Sequence, residues 1–509
     1  MDTMRKINIL LAILLFLPLI VRAQEFEVRR GDCLPDIEPL TEDVVRNSDA
    51  KRRLSVINKQ WDPERVYRQL VILVSFAGDN VDFQSEVPQA SYNDIFNTLG
   101  YNERQGKGCV ADYFRTQSGG LFNAQFDVYG PYRVEQKAQP YTNPTYSTRN
   151  IGRNALLEAT SMFLEENPNL DFSVYDWNGD GQVEQVIFVC AGYAGNSGNS
   201  KVYGYLWPNT SSFTTITTPD NHTISNYTAS AELWPNDVNC GIGTICHEYT
   251  HSLGLPDVYP TSASAGYSVL DEWDLMDGGN FTNYGWCPPN YTPMEKILLG
   301  WATPVELTDP LTVRELNPSE EGGDIYRITL GDNDWLLLEN RQQRGWDYGV
   351  PGQGLLVYHM VYDSQRWAAN AVNNNVEKRG YELVYADNRN YDDWYDYYVA
   401  SGLNTMYMRS PRLNSILLSG APFPYMTDST ETVNAYKELT HIILDEDGLV
   451  SFDYKGGDAI LSVHLTDRKQ PSTTICYDLS GQLLGTNNNN RHGLTIVRKA
   501  DGTMRKVLK

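Results

Sequence analysis

Three side chains within five residues carry the strongest chemical signal in this chain. The stretch TICHEYTHSLGLPDVY, residues 244–259, holds a His-Glu-x-x-His pattern at His247, Glu248 and His251. Positions i and i+4 of a helix lie one above the other on the same face. Two imidazoles so placed can close on one Zn²⁺ at about 2.0–2.1 Å. Glu248, beside the first histidine, suits a general base that takes a proton from a metal-activated water. Gly254 follows three residues after His251. Glycine commonly ends helices, so the chain is expected to turn there and bring Asp257 back as third ligand. Glu272 and Glu295 are the rival carboxylates; Pro256 favours Asp257, because it marks a rigid turn and not a continuing helix. Three protein ligands would leave a fourth position open, the catalytic kind of zinc site and not the closed structural kind.

Other residues bear on the same chemistry. Asp176, Asn178 and Asp180, with Gly181 at position six, Gln182 at seven and Glu184 at nine, form the first half of a calcium loop. Position twelve is Ile187 and not the expected glutamate, so the alternative is an Asx-rich turn before a strand. Met276, in WDLMDGG at 273–279, is either a polarizable floor beneath the imidazoles or an ordinary core methionine. Cys33 precedes the zinc motif in the leader. Its thiolate, or the carboxylate of Asp32 or Asp36, could fill the open metal position and keep a zymogen silent; the alternative is a plain surface or paired cysteine. His359 reads as a packed or surface histidine and not as a ligand.

These residues need elements to hold them. The apolar run LVILVSF at 70–76 reads as a buried central strand, and 186–190 as another. Helices are expected at 92–99, 110–117 and 147–165, and a strand at 122–129. Residues 195–229, rich in Asn, Ser and Thr, suggest loops and an edge strand at the rim of a cleft, with the zinc helix across its floor. A helix is expected at 294–299. From 305 the pattern turns to strands at 311–316, 324–330, 335–340 and 354–360, with 386–412 as an Asp- and Tyr-rich loop and Phe452 in the last strand. The tail offers short strands at 461–466, 475–479, 494–497 and 504–508, and a turn at 487–490. About fifty residues of this kind make a small β module with little core of its own.

The chain has 509 residues, enough for several domains. Lys and Arg total 41 against 64 Asp and Glu, a formal net charge of −23, which disfavours nucleic acid and anionic membranes as partners. Residues 1–23 read as a signal peptide: Arg5 and Lys6, an apolar run over 7–21, and a small-residue site ending at Ala23. The run is too short to span a bilayer comfortably. Export permits disulfides, but seven cysteines without a spacing framework specify none; a local bridge among Cys240, Cys246 and Cys287 is open. The expected order is a signal peptide at 1–23, a leader or propeptide at 24–65, a catalytic domain at 66–304, a β-rich accessory domain at 305–456 and a β tail at 457–509.

Taken together, VILVSF at 71–76, ADYFRTQSGG at 111–120, the 176–184 loop, HEYTHSLGLPD at 247–257, WDLMDGG at 273–279, EKILLGW at 295–301, LLLENRQ at 336–342 and PGQGLLVYH at 351–359 resemble the immune inhibitor A family of secreted zinc metallopeptidases, within the metzincin-like group. The resemblance covers about residues 68–455. It implies an α/β (α+β) metzincin-like protease domain followed by a β-rich accessory domain. It implies His247, His251 and Asp257 as zinc ligands, Glu248 as base, Met276 in the Met-turn and calcium at the acidic loop. It implies manufacture as a zymogen and proteins or peptides as substrates. The tail, with YDLSGQLL at 477–484, is similar to carboxy-terminal secretion modules of Bacteroidetes-type bacteria, which implies the secretion machinery as a partner. Two other classes compete: a binding or adhesion protein on a silent protease fold, and a zinc amidase acting on a non-protein amide.

Overall fold

The computed structural model describes residues 61–77, 81–135, 146–194, 207–234, 237–262, 265, 268–384, 424–428, 431–434, 439–455 and 457–458, and four strands of the tail. Cys33, the leader and the stretches 386–412, 461–466 and 487–490 lie outside these residues. The chain divides into two compact units, Met1–Gly457 and Asp458–Lys509. Among the described residues no helix is long and apolar enough to cross a membrane.

The first unit opens on β1 (Val66–Phe76), followed by α1 (Pro88–Asn97), α2 (Val110–Gln117), β2 (Asn123–Val134) and α3 (Tyr146–Glu166). Next come β3 (Val186–Tyr193), β4 (Asn209–Thr217), β5 (Thr223–Leu233) and α4 (Gly243–Leu253). The five strands form one sheet in the order β2-β1-β3-β5-β4, parallel except for β4 on the edge. The apolar run in β1 is continuous because both its faces are covered. Val71 and Leu73 face a core that contains α4, while Leu70, Ile72 and Val74 face the core beneath α3.

One segment departs from the sequence reading. Residues 195–229, expected as loops and an edge strand, supply β4 as that edge strand, and 223–233 adds an interior strand between it and β3. Two of its polar side chains are buried and partnered: Thr228 Oγ1 accepts from Gln185 Nε2 at 2.5 Å, and Glu232 accepts the backbone N–H of Gln84 at 2.8 Å and of Gly192 at 3.2 Å. Burial pushes the Glu232 carboxyl up to about 7.

Downstream, α5 (Pro293–Leu298) leads to β6 (Val305–Glu306), β7 (Leu311–Leu316), β8 (Tyr326–Gly331), β9 (Asp334–Arg341) and β10 (Gly354–Val361). A short helix α6 (Ser364–Ala368), β11 (Tyr381–Leu383), β12 (Pro424–Asp428), β13 (Glu431–Asn434), β14 (Leu439–Leu444) and β15 (Val450–Tyr454) complete the unit. A second sheet runs β11-β10-β9-β8-β6, and a three-stranded sheet runs β14-β15-β7. The alternation of β9 and β10 explains how this half joins the first. Leu337, Leu356 and Tyr358 pack in the core that includes α4, while Leu336, Leu338, Leu355 and Val357 pack toward β7 and β15. The site is therefore built on a core shared by both large sheets.

In the second unit β16 (Ile475–Tyr477), β17 (Leu483–Gly485), β18 (Leu494–Arg498) and β19 (Met504–Leu508) form an antiparallel sheet in the order β17-β16-β18-β19.

Candidate metal centre

Every residue of α4 except Ser252 is buried, although the helix carries two histidines, a glutamate and two threonines. Buried polar groups need partners, and most are found: Thr250 Oγ1 donates to the Cys246 carbonyl at 2.7 Å, and Tyr249 Oη donates to Gln69 Oε1 at 3.1 Å. The helix begins where Gly243 lets another chain segment pass, since a Cβ there would sit 2.0 Å from the Asn280 carbonyl oxygen. It ends at Gly254, whose φ of 112° only glycine adopts readily.

That turn returns Asp257 to the two histidines. Asp257 Oδ1 lies 3.2 Å from His247 Nε2 and 3.1 Å from His251 Nε2. A tetrahedral zinc with ligands at about 2.0–2.1 Å spaces its ligand atoms at roughly 3.3 Å. The other nitrogen of each ring is committed: His247 Nδ1 meets the Leu275 carbonyl at 2.7 Å, and His251 Nδ1 meets the Leu255 carbonyl at 2.8 Å. A carbonyl only accepts, so both Nδ1 atoms carry hydrogen and both Nε2 atoms of the neutral rings present lone pairs. His247 Nε2, His251 Nε2 and Asp257 Oδ1 are all buried without a well-directed hydrogen bond. Among the described residues, this is the one group of three or more His, Cys, Asp or Glu whose ligating atoms gather within 4.8 Å. Lone pairs converging in a dry site repel unless a proton or a cation sits among them. The donor set, two imidazoles and a carboxylate, suits zinc.

Burial opposes charge on His247, but Asp257 and Glu248 push its pKa up to about 9. Burial works against the Asp257 carboxylate too, yet the two histidines hold it well below the usual range.

Glu248 is fully buried, and burial raises its carboxyl pKa against the pull of the two histidines. Thr210 Oγ1 on β4 donates to the Glu248 backbone carbonyl at 2.5 Å and lies 3.3 Å from its Oε2, while Oε1 has no hydrogen-bond partner. The edge strand thus meets the helix at Glu248 and leaves Oε1 available.

Met276 is buried in the turn after the site. The turn's backbone grips the cluster twice: the Leu275 carbonyl meets His247, and the Met276 carbonyl accepts the N–H of Val258, next to Asp257, at 2.8 Å. Two carboxylates shape it. Asp274 accepts the Met276 N–H at 2.6 Å, and Asp277 accepts from Ser268 Oγ, Val269 N and Leu270 N at 2.6–2.9 Å. Glu295, one rival third ligand, instead caps α5 through the N–H of Thr292 at 2.6 Å. Glu272 is likewise not in the cluster.

The remaining expected sites stand apart. Asp176 accepts the N–H groups of Gly179, Asp180 and Gly181 at 2.8–3.2 Å, and Asp180 accepts that of Gln182 at 2.9 Å. An Asx-rich turn makes these bonds on its own, so they do not separate it from a calcium loop that also uses Asn178 and Glu184. The open disulfide is corrected: Cys240, Cys246 and Cys287 are free buried thiols, as are Cys109 and Cys190. His359 is indeed packed, between Asp334 at 3.0 Å and Glu382 at 3.3 Å.

Two groups at the site had no signal in the sequence. The carbonyls of Leu255 and Leu275 bear no mark in their side chains. Asn370 lies 113 residues from Asp257, yet its Oδ1 accepts the Asp257 N–H at 2.7 Å and its Nδ2 donates to Asp257 Oδ2 at 2.6 Å.

A mixed α/β scaffold with this cluster fits a metallopeptidase, and comparison with known proteins supports that class. Residues 76–296 match the family model described as the immune inhibitor A peptidase M6 catalytic domain, a span that includes the whole cluster. The chain is 23% identical over 314 residues to Immune inhibitor A of Bacillus thuringiensis subsp. alesti, covering 52% of this chain and 44% of that protein. It is 23% identical over 219 residues to the pre-pro-metalloprotease PrtV of Vibrio cholerae serotype O1 (strain M66-2), covering 37% of this chain and 23% of that protein. The chain thus aligns with less than half the length of these relatives. The family implies a catalytic metal, usually zinc, and the cluster of His247, His251 and Asp257 is compatible with it.

Proposed function

We propose that this chain is a secreted, zinc-dependent endopeptidase that hydrolyses internal peptide bonds of proteins. The reading rests on one observation: the buried Asp257 Oδ1 lies 3.1–3.2 Å from the Nε2 atoms of His247 and His251, and none of the three has another hydrogen-bond partner. His247, His251 and Asp257 would hold the metal, and zinc bound there would supply a polarised scissile carbonyl and a water of pKa lowered toward ~7. Glu248 takes the proton of that water at Oε1 and delivers it to the leaving amine. Thr210 on the edge strand packs against Glu248, its Oγ1 on the backbone carbonyl and 3.3 Å from Oε2. Burial raises the Glu248 pKa, which strengthens it as a base.

The four central side chains are at most 3% exposed. Manufacture as a zymogen is part of the same reading. Export through the signal peptide at 1–23, the metzincin-like class of the catalytic domain, an accessory role for 305–456 and sorting through the tail belong to the same proposal.

Glu248→Gln tests it. The variant is expected to keep its zinc and lose at least about a hundredfold in casein cleavage, the size of a general-base contribution. Cleavage at the wild-type rate by the zinc-loaded variant would remove Glu248 from the mechanism.

A further inference from the structure

Asp257 reaches the histidines with one oxygen only, and the reason lies far downstream. Its second oxygen, Oδ2, accepts from Asn370 Nδ2 at 2.6 Å, while the backbone N–H of Asp257 donates to Asn370 Oδ1 at 2.7 Å. The two bonds fix the direction of the amide. Asn370 Oδ1 must face the N–H donor, so Nδ2 must face the carboxylate; the flipped amide would set donor against donor and acceptor against acceptor. A two-point grip of this kind fixes both the position and the rotation of the carboxylate.

The grip is itself held. Asn370 is 2% exposed and follows α6 with φ of 52°, a left-handed conformation that asparagine tolerates better than most residues. Its carbonyl accepts from Thr261 Oγ1 at 2.6 Å. Three residues on, the fully buried Asn373 donates to the carbonyls of Val258 at 2.8 Å and Tyr381 at 2.7 Å. Asn374 accepts the Ser262 N–H at 3.0 Å and donates to Thr261 Oγ1 at 2.9 Å. The segment 370–374 therefore runs along the 257–262 loop as a strap, anchored at its far end to β11. It lies outside the span that matches the peptidase family model.

We propose that Asn370 is a positioning residue of the metal centre: it occupies Asp257 Oδ2 so that Oδ1 alone is presented to the metal, which makes the downstream half of the first unit a working part of the site. This rests on the metal-site reading above. A carboxylate free to rotate would bring its second oxygen toward the metal, or turn away from it, and the histidine pair would lose a fixed third partner. Outer partners of metal ligands typically contribute about 10–100-fold in affinity.

The test measures zinc affinity of the full chain by competition with a chromophoric chelator, beside the melting temperature of each zinc-free protein. Asn370→Gly removes both bonds and fits the positive φ without strain. Asn370→Asp keeps the shape and the acceptor but sets a carboxylate against Asp257 Oδ2. Asn374→Ala loosens the same strap without touching Asp257. Zinc affinity is expected to fall about 10–100-fold in Asn370→Gly and further in Asn370→Asp, and to hold in Asn374→Ala. The visible spectrum of the cobalt-substituted protein should change in Asn370→Gly and not in Asn374→Ala. If Asn370→Gly binds zinc as tightly as wild type, or Asn374→Ala loses as much, Asn370 is merely structural and the proposal fails. A wild-type chain that binds no zinc overturns the metallopeptidase reading as well, so the two failures are told apart by the wild-type measurement.

Discussion

Among the described residues, two buried polar clusters are built on opposite rules. In the group of Arg341 with Glu339 and Asp347, at the end of β9, all four carboxylate oxygens have a donor. Glu339 Oε1 accepts from Arg341 Nη1 at 3.1 Å and from Tyr358 Oη at 2.7 Å, and its Oε2 accepts from Ser319. Asp347 receives both ends of the Arg341 fork and, from Asn290, the backbone N–H at 2.9 Å and Nδ2 at 2.7 Å. Gln117 continues the chain of bonds to Asn290 at 2.8 Å and Tyr291 at 2.8 Å. At His247, His251 and Asp257 the outer atoms are tied just as firmly, by Leu275, Leu255 and Asn370, but the inner atoms face one another unpaired. A buried network that closes on itself joins elements: this one ties β9 to α2 and the segment before α5. A buried network left open at its centre is a receptacle. The difference is in the donor count and not in burial or residue type.

Breaking the closed network should have the largest effect on stability. Arg341→Met leaves Glu339 and Asp347 buried without their cation, and is expected to lose about 3–5 kcal/mol of unfolding free energy in denaturant titration. A loss below about 1 kcal/mol would mean the network is not the joint described here.

A smaller effect is expected at His359, whose ring lies between Asp334 and Glu382 on neighbouring strands. Burial lowers its pKa, but the two carboxylates raise it above the ordinary value on balance. A pKa raised by folding stabilises fully below the unfolded value, about 6.5, and the contribution is lost as pH rises through the folded value. The stability gap between wild type and His359→Gln should therefore be widest in mild acid and narrow toward alkaline pH. A gap that widens with pH would contradict the pairing.

How much of this was legible in the sequence follows from where each signal resides. The zinc helix and its end were readable because spacing, Gly254 and Asp257 are local. Helix 110–117 was readable from its pattern, and the Cys109–Asp112 capping box fixes its start. Strand 223–233 was not, because Thr228 and Glu232 look solvated until their partners elsewhere in the fold are known. The strap at Asn370–Asn374 was not legible for the same reason: an asparagine's role is set by what it faces, here a residue 113 positions away. Nor was the junction of the two large sheets, since a strand buried on both faces reads only as apolar.

The central claim is most directly tested by counting zinc per chain after exhaustive dialysis, with wild type and Asp257→Asn side by side. About one zinc is predicted in wild type and none in the variant, with the circular dichroism of the two zinc-free proteins confirming that both are folded. A wild-type chain free of zinc, or an Asp257→Asn chain that retains it, would contradict the account.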